Sequence, residues 1–202
     1  MSNLTGTKLV IAQAALETLR LRGYAGASAR EIARAGDINQ ALVFYHFGSV
    51  QNALLAALDL VSDLRMQSYA EAIEGATTPA DLSSLVMRIR QEDTANGYVV
   101  VLGEMIAAGV TDAELGSAVF ARIEPWIDLA ERKIRQTAGD RPLGGAAAPR
   151  DLAFAFIALY LGVDLLGNLD DERASADAVI SLAAGVTQGF GDVALEDGGG
   201  GR

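Results

Sequence analysis

Residues 28–47, SAREIARAGDINQALVFYHF, constrain this chain more than any other stretch. Two short helical patterns lie on either side of a break at Gly36-Asp37. Ser28 and Glu31 are spaced as a Ser-x-x-Glu capping box, which places a helix start near Ala29. Gly and Asp tolerate a left-handed backbone, so the chain can turn sharply between the two patterns. Asn39 is a good N-cap for the second helix. That helix has a narrow apolar face, Val43 and Phe47, with Ile38 before it. Gln40, Ala41, Leu42, Phe44 and Tyr45 are left to face outward. Exposed apolar and aromatic side chains on so short a helix call for a partner. Two helices joined by a tight turn make a helix-turn-helix, whose second helix enters the DNA major groove while the first crosses the backbone.

Helical grammar continues along the chain. Leu9, Ile11, Ala12, Ala15, Leu16 and Leu19 recur at helical spacing until Gly23. Ser49 caps a long helix to about Glu74, with Leu54, Leu55, Leu58, Val61 and Leu64 repeating along it. Thr78-Pro79 opens a helix toward Asn96. An apolar segment runs from Gly97-Tyr98 to Gly109. Thr111-x-x-Glu114 reads as a second capping box, for a helix to about Ala138 that Pro125 kinks or divides. A loop over 139–149 precedes two apolar helices near 150–168 and 174–194. There is no alternating strand pattern of useful length, so the expected fold class is all-α.

Composition narrows the chemistry. The chain has no Cys and a single His, His46, which excludes disulfides, thiolate metal sites and His-cluster zinc sites. No metal, no cofactor and no catalytic residue is expected. The acidic groups Glu92-Asp93 and Asp170-Asp171-Glu172 are read as solvated surface, because sequence neighbours do not share a helix face. The longest apolar run, Leu152 to Val163, is 12 residues. A bilayer span needs about 20. The start, MSNLTGTK, has no basic region followed by an apolar core, so a soluble, cytoplasmic protein with no membrane partner is expected. The net charge is −10. Its distribution matters more: residues 1–52 hold five basic and three acidic residues, a net +2, while the remainder nets −12. An acidic body leaves the N-terminal end to approach phosphate.

Gly23-Tyr24, Ser28, Ile32-Ala33, Ile38-Asn39, Tyr45-His46-Phe47, Ser49 and Leu54 form a joint pattern. On it, residues 7–55 resemble the DNA-binding region of the tetracycline-repressor (TetR) family of transcription regulators. The resemblance implies about nine helices: an N-terminal three-helix DNA-binding domain with its helix-turn-helix, then a larger helical ligand-binding and dimerisation domain. It places the first domain at 1–50, with its motif at 28–47, the second at 51–195, and a disordered tail at 196–202. The implied partners are double-stranded operator DNA with two-fold symmetry, a second copy of the chain, and an unidentified small-molecule effector. The implied function is a repressor released from a palindromic operator by a small apolar or amphipathic molecule. The alternative is a small-molecule-binding protein of the same fold with weak or lost DNA binding.

By the same resemblance, Ser28 caps its helix and reaches a phosphate, and Asn39 caps the reading helix. Gln40, Ala41 and Leu42 sit where base edges are met, with Phe44 beside them. Gln40 is expected to read an adenine, and Ala41 or Leu42 to meet thymine methyls. Tyr45 and His46 sit where phosphates are touched, and Ser49 opens a helix N-terminus that binds phosphate through its amides. The chain departs from the family at Gly36-Asp37, where Ala-Gly is usual, at Ala41 for Gly, at Phe44 for Tyr, and at Val50 for Lys.

In the body, Tyr69, Tyr98, Glu104, Arg122, Trp126 and Tyr160 are the candidate ligand residues. Phe154, Ile157, Leu161, Leu165 and Leu166 form a broad apolar face around Gly162, and Gly185 and Gly189 lie four apart in the last helix. Small residues at that spacing let helix backbones approach closely. The expected use is an isologous four-helix dimer interface, against an ordinary buried pair within one subunit.

Overall fold

The computed structural model describes residues 4–138, 147–169 and Val179. These hold eight α-helices: α1 Thr7–Arg22, α2 Ala29–Gly36, α3 Ala41–Phe47, α4 Val50–Gly75, α5 Pro79–Asn96, α6 Tyr98–Thr111, α7 Ala113–Ala138 and α8 Pro149–Gly167. There is no strand among the described residues. The fold is all-α, as the periodicity predicts. The last expected helix, with Gly185 and Gly189, the tail at 196–202 and the acidic run at Asp170 lie outside the described residues.

The chain divides into two compact units. The first joins residues 1–68 to 96–123. Its core is one cluster, in which Ile11, Leu19, Ile32, Val43, Leu54, Met105 and Leu115 are all but inaccessible. Burying each such side chain contributes about 1.5–3 kcal/mol. The apolar stripe of α1 therefore packs with α2, α3, the first half of α4, α6 and the start of α7. Thr18 is buried too, and its hydroxyl donates to the Ala14 carbonyl at 2.7 Å. Where α6 meets α7, a Cβ on Gly109 would lie 2.8 Å from the Gly116 Cα. Only glycines allow that approach. Arg122 grips α4 with a two-pronged ion pair to Asp59, both contacts 2.8 Å, and also donates to the Leu55 and Ala118 carbonyls.

The second unit joins residues 69–95 to 124–202. Ile127 and Ala153 are buried in it, and Val163 packs with Met87. Its interior is also polar. Tyr160 donates to Asp93 at 2.5 Å, and Thr94 donates to Asp164 at 2.9 Å. Arg90 Nε lies 3.5 Å from Asp164.

Helix ends follow local chemistry, with several corrections. Ser28 Oγ accepts from the Glu31 N–H at 3.2 Å, but the Glu31 carboxylate turns to Arg22 and Arg34. Only half of that capping box forms. Thr111 ends α6 rather than capping α7; Asp112 Oδ1 accepts from the N–H groups of Glu114 and Leu115. The carboxylate wins because a charged acceptor holds two amides at once. At α5 the box is complete: Thr78 Oγ1 accepts from the Asp81 N–H, and Asp81 accepts from the Thr78 hydroxyl and N–H. Those bonds, the Thr78 hydroxyl's first, hold the Asp81 carboxyl below its usual range. Pro125 does not divide α7, although the boundary between the units falls between Ile123 and Glu124, just before it. Leu64 is half exposed, because the apolar cluster that covers α4 in the first unit stops at Leu58.

Candidate nucleic-acid interface

The turn between α2 and α3 rests on one backbone feature. Asp37 adopts φ 48° and ψ 49°, and among the described residues it alone has a positive φ without being glycine. Its N–H closes α2 on the Ala33 carbonyl. The Ile38 N–H bonds that same carbonyl at 3.0 Å. The left-handed state costs an ordinary residue about 1–2 kcal/mol, and Asp less. Asp37→Gly is therefore expected to raise stability by up to about 1 kcal/mol and to tighten DNA binding by removing a carboxylate from the head. Urea melts and fluorescence anisotropy would check this. A variant that melts earlier would show that Asp37 earns its place in another way.

Asn39 caps α3 from two residues back: its Oδ1 accepts from the Ala41 N–H at 2.9 Å, and its carbonyl from Leu42. Val43 is fully buried and anchors α3 to the core. Gln40 and Ala41 are exposed, as are Phe44 and Tyr45, the last 82% so. His46 is half-buried, and its ring meets the Tyr45 ring edge-on with centroids 5.0 Å apart. Leu42 departs from expectation. It is half-buried and packs on the core cluster, so its side chain is only partly free to face outward.

Gly48, at φ 76°, ends α3, and its N–H bonds the Phe44 carbonyl at 2.8 Å. The chain then bends by 70° into α4. Ser49 Oγ accepts from the Asn52 N–H at 3.1 Å, and the Asn52 amide returns to the Phe47 carbonyl at 2.8 Å. Asn52 thus pins the end of α3 to the start of α4, a role the sequence pattern did not reveal. Val50 packs on the core cluster, which explains an apolar residue where a lysine is usual.

The cations of the head are partly occupied. Arg22 and Arg34 both pair with Glu31, at 2.8 and 3.0 Å, and Arg20 lies 3.5 Å from Glu17. Exposed pairs of this kind contribute about 0–1 kcal/mol, so phosphate can compete for them. Ser28, Asn39, Gln40, Ala41, Phe44 and Tyr45 form an exposed band, capped at both ends and lean in free charge.

The candidate body residues divide between the two units. Glu104 and Arg122 belong to the first unit. Glu104 accepts from the Tyr24 N–H at 2.8 Å, against Gly23 at φ 65°, where a Cβ would lie 2.5 Å from its carboxylate. It fastens the turn after α1 to α6. Arg122 is committed to Asp59. Tyr98 is half-buried in that same unit. Tyr69, Trp126 and Tyr160 belong to the second unit. Tyr69 is buried and donates to Glu92 at 2.5 Å, and Trp126 is half-buried. Asp93, read as solvated surface, is fully buried. Adjacent residues on a helix point about 100° apart, so Glu92 reaches solvent while Asp93 points to Tyr160 on α8. On α8, Phe154 and Leu166 are 53% and 68% exposed, while Ile157, Leu161 and Leu165 are half-buried. A Cβ on Gly162 would meet nothing within 4 Å.

Residues 11–58, the stretch that contains this band, match the family profile of bacterial regulatory proteins, tetR family. Over these residues the chain is similar to the DNA-binding region of that family. The match carries the coarse function with it, DNA-binding transcriptional regulation. The TetR-like architecture extends beyond the head. A TetR-family transcriptional regulator from Rhodococcus sp. superposes with a TM-score of 0.73 at 19% identity, covering 89% of this chain and 97% of that one. The fatty acid degradation regulator FadR from Bacillus halodurans gives 0.76 at 14%, covering 92% and 96%. A TetR-family regulator from Cytophaga hutchinsonii gives 0.72 at 17%, covering 93% and 98%. At these identities the likeness is one of fold. No curated protein matches the chain. No single helix among the described residues is long and apolar enough to cross a membrane.

Proposed function

We propose that this TetR-like chain acts as a homodimer that represses transcription from a two-fold operator and releases it when a small amphipathic molecule binds its second unit. The observation that carries this is the exposed band of α3. Phe44 and Tyr45 lie in solvent on a seven-residue helix that is anchored by Val43 and capped at both ends. Such a helix is built to be held rigidly and to be covered. Gln40 offers an amide for an adenine edge, and Ala41 a methyl contact for thymine. Ser28, Tyr45, His46 and the amides behind Ser49 are the phosphate clamp.

Release follows from two states of the dimer. A ligand with higher affinity for one head spacing shifts the population toward it. Helix α4 contributes residues to both units, so it is one covalent route by which a change in the second unit can reach the head.

The test is fluorescence anisotropy on the DNA upstream of the protein's own gene. Binding at low salt is expected, with a shallow salt dependence. A repressor making ten phosphate contacts loses affinity with a log–log slope of about −9. A slope well short of that is expected here, because Arg22 and Arg34 are shared with Glu31 and position 50 is apolar. No binding at low salt would favour the second reading, a ligand-binding protein that has lost its operator. That reading is motivated by Asp37, whose carboxylate sits in the head's own turn.

A further inference from the structure

We infer that Glu104 is a positioning residue for DNA binding: from α6 it holds the turn that leads into α2, and so fixes the direction in which the head presents α3. This rests on the reading of the chain as an operator-binding dimer. Glu104, its α6 and the head belong to one compact unit. The contact is built from both sides. On α6, Val101, Glu104 and Met105 are spaced to share one face, and Val101 and Met105 are buried. Glu104 Oε2 accepts the Tyr24 N–H at 2.8 Å across 80 residues. Opposite it, Gly23 closes α1 at φ 65°, and a Cβ there would lie 2.5 Å from that same oxygen. A side chain at position 23 would displace the carboxylate. The Tyr24 carbonyl accepts from the Ala27 N–H at 3.1 Å, and Ser28, the next residue, caps α2. Glu104 therefore grips the turn that sets where α2 begins.

Stability alone does not explain a carboxylate here. Gly23 is the C-cap of α1, the negative end of that helix's dipole, which disfavours a negative charge. With Val101 and Met105 beside it, an apolar side chain would suit the face of α6. What Glu104 adds is direction. The apolar cluster holds α1 on α6, but hydrophobic attraction is non-directional and does not by itself fix rotation. A hydrogen bond is angular and does. A second, longer contact runs from Gln51 Nε2 to Asp112 Oδ2 at 3.4 Å and ties the start of α4 to the residue after α6. Two separated attachments resist a swivel that one would permit. A head that swivels is in the binding-competent direction only part of the time, and its apparent affinity falls by that fraction.

Three variants of the full chain separate reach from charge. Glu104→Gln keeps the acceptor and drops the charge, Glu104→Asp keeps the charge but is one methylene too short, and Glu104→Ala removes both. The probe is the two-half-site operator mapped by footprinting in the DNA upstream of the gene. Anisotropy is expected to show Glu104→Asp and Glu104→Ala binding it about 10- to 100-fold more weakly, the factor that a hydrogen bond to a charged group contributes. Glu104→Gln should stay within about threefold of wild type, since a neutral acceptor keeps part of that strength. On a short duplex carrying one half-site, which one head meets alone, all four proteins should agree within about twofold. Hydrogen exchange reads the contact itself: the Tyr24 amide should exchange slowly in wild type and Glu104→Gln and faster in the other two. Circular dichroism checks the fold, and if Glu104→Ala does not fold, the milder Glu104→Asp decides. Operator binding unchanged in Glu104→Asp would overturn the proposal. So would a loss in Glu104→Gln as large as in Glu104→Asp, which makes the charge the active feature. An equal loss on the half-site would also overturn it, by placing the effect inside the head. Wild-type protein that does not bind the upstream DNA at low salt removes the operator reading, and this role with it. Wild-type binding with indifferent variants removes this role alone.

Discussion

Leu166→Arg is expected to turn the dimer into a monomer and to weaken operator binding by about 10²–10⁴-fold, the gain that linking two half-site contacts provides. Leu166 is 68% exposed on α8, and Phe154 on the same helix is 53% exposed. A large apolar face left in solvent marks an interaction surface. In an isologous interface each substitution occurs twice, close to its mate, so two arginines would repel across the two-fold axis. Within the subunit little is lost, because the side chain is mainly exposed and the helix keeps its buried residues Ala153, Tyr160 and Val163. Circular dichroism should therefore stay unchanged while light scattering reports half the mass. Gly162→Arg is a second way to the same end, since a Cβ there meets nothing within 4 Å inside the subunit. A dimer retained in both variants would move the interface off this face.

The second large effect is expected at the reading helix. Gln40→Ala and Tyr45→Ala together should abolish detectable operator binding at physiological salt and leave the melting temperature where it was. Each good base-edge contact contributes about 1–3 kcal/mol of discrimination, and a dimer makes it in both half-sites. Tyr45 is 82% exposed, so its ring contributes little to the core, and Gln40 is exposed as well. Loss of binding without loss of stability separates a contact role from a folding role. The operator pattern adds a further check: Gln40→Ala should relax preference at one base pair per half-site, whereas Tyr45→Ala should weaken all sequences alike. If the double variant binds as tightly as the parent, α3 is not the reading element.

Between them, these substitutions show what each level of description can supply. The head was legible because its signals are local. Ser28 lies three residues from the amide it caps, Asn39 two from its own, and Ser49 three from Asn52. The spacing of Ile11, Leu19, Ile32 and Val43 assigns inward faces without knowledge of what they meet. Even the turn could be anticipated, since Gly36-Asp37 is one of few pairs here that can reverse the chain, and Asp37 is in the left-handed state. Where local reading failed, two acceptable caps competed. Thr111 and Asp112 are adjacent, and only three-dimensional placement shows that the carboxylate takes the amides.

The amino-acid sequence by itself determined the helices, most of their caps, the exposed band on α3 and the absence of thiol chemistry, because each depends on residues within a turn or two of one another. Tertiary structure alone decided the uses of the polar residues in the body. Glu104 fastens Tyr24 across 80 residues, Arg122 grips Asp59 across 63, and Asp93 and Asp164 meet their donors across 67 and 70. A helix can carry such a side chain to solvent or to the interior at equal local cost. Which of the two happens depends on the helix that packs against it, and that choice is made only when the distant segments meet.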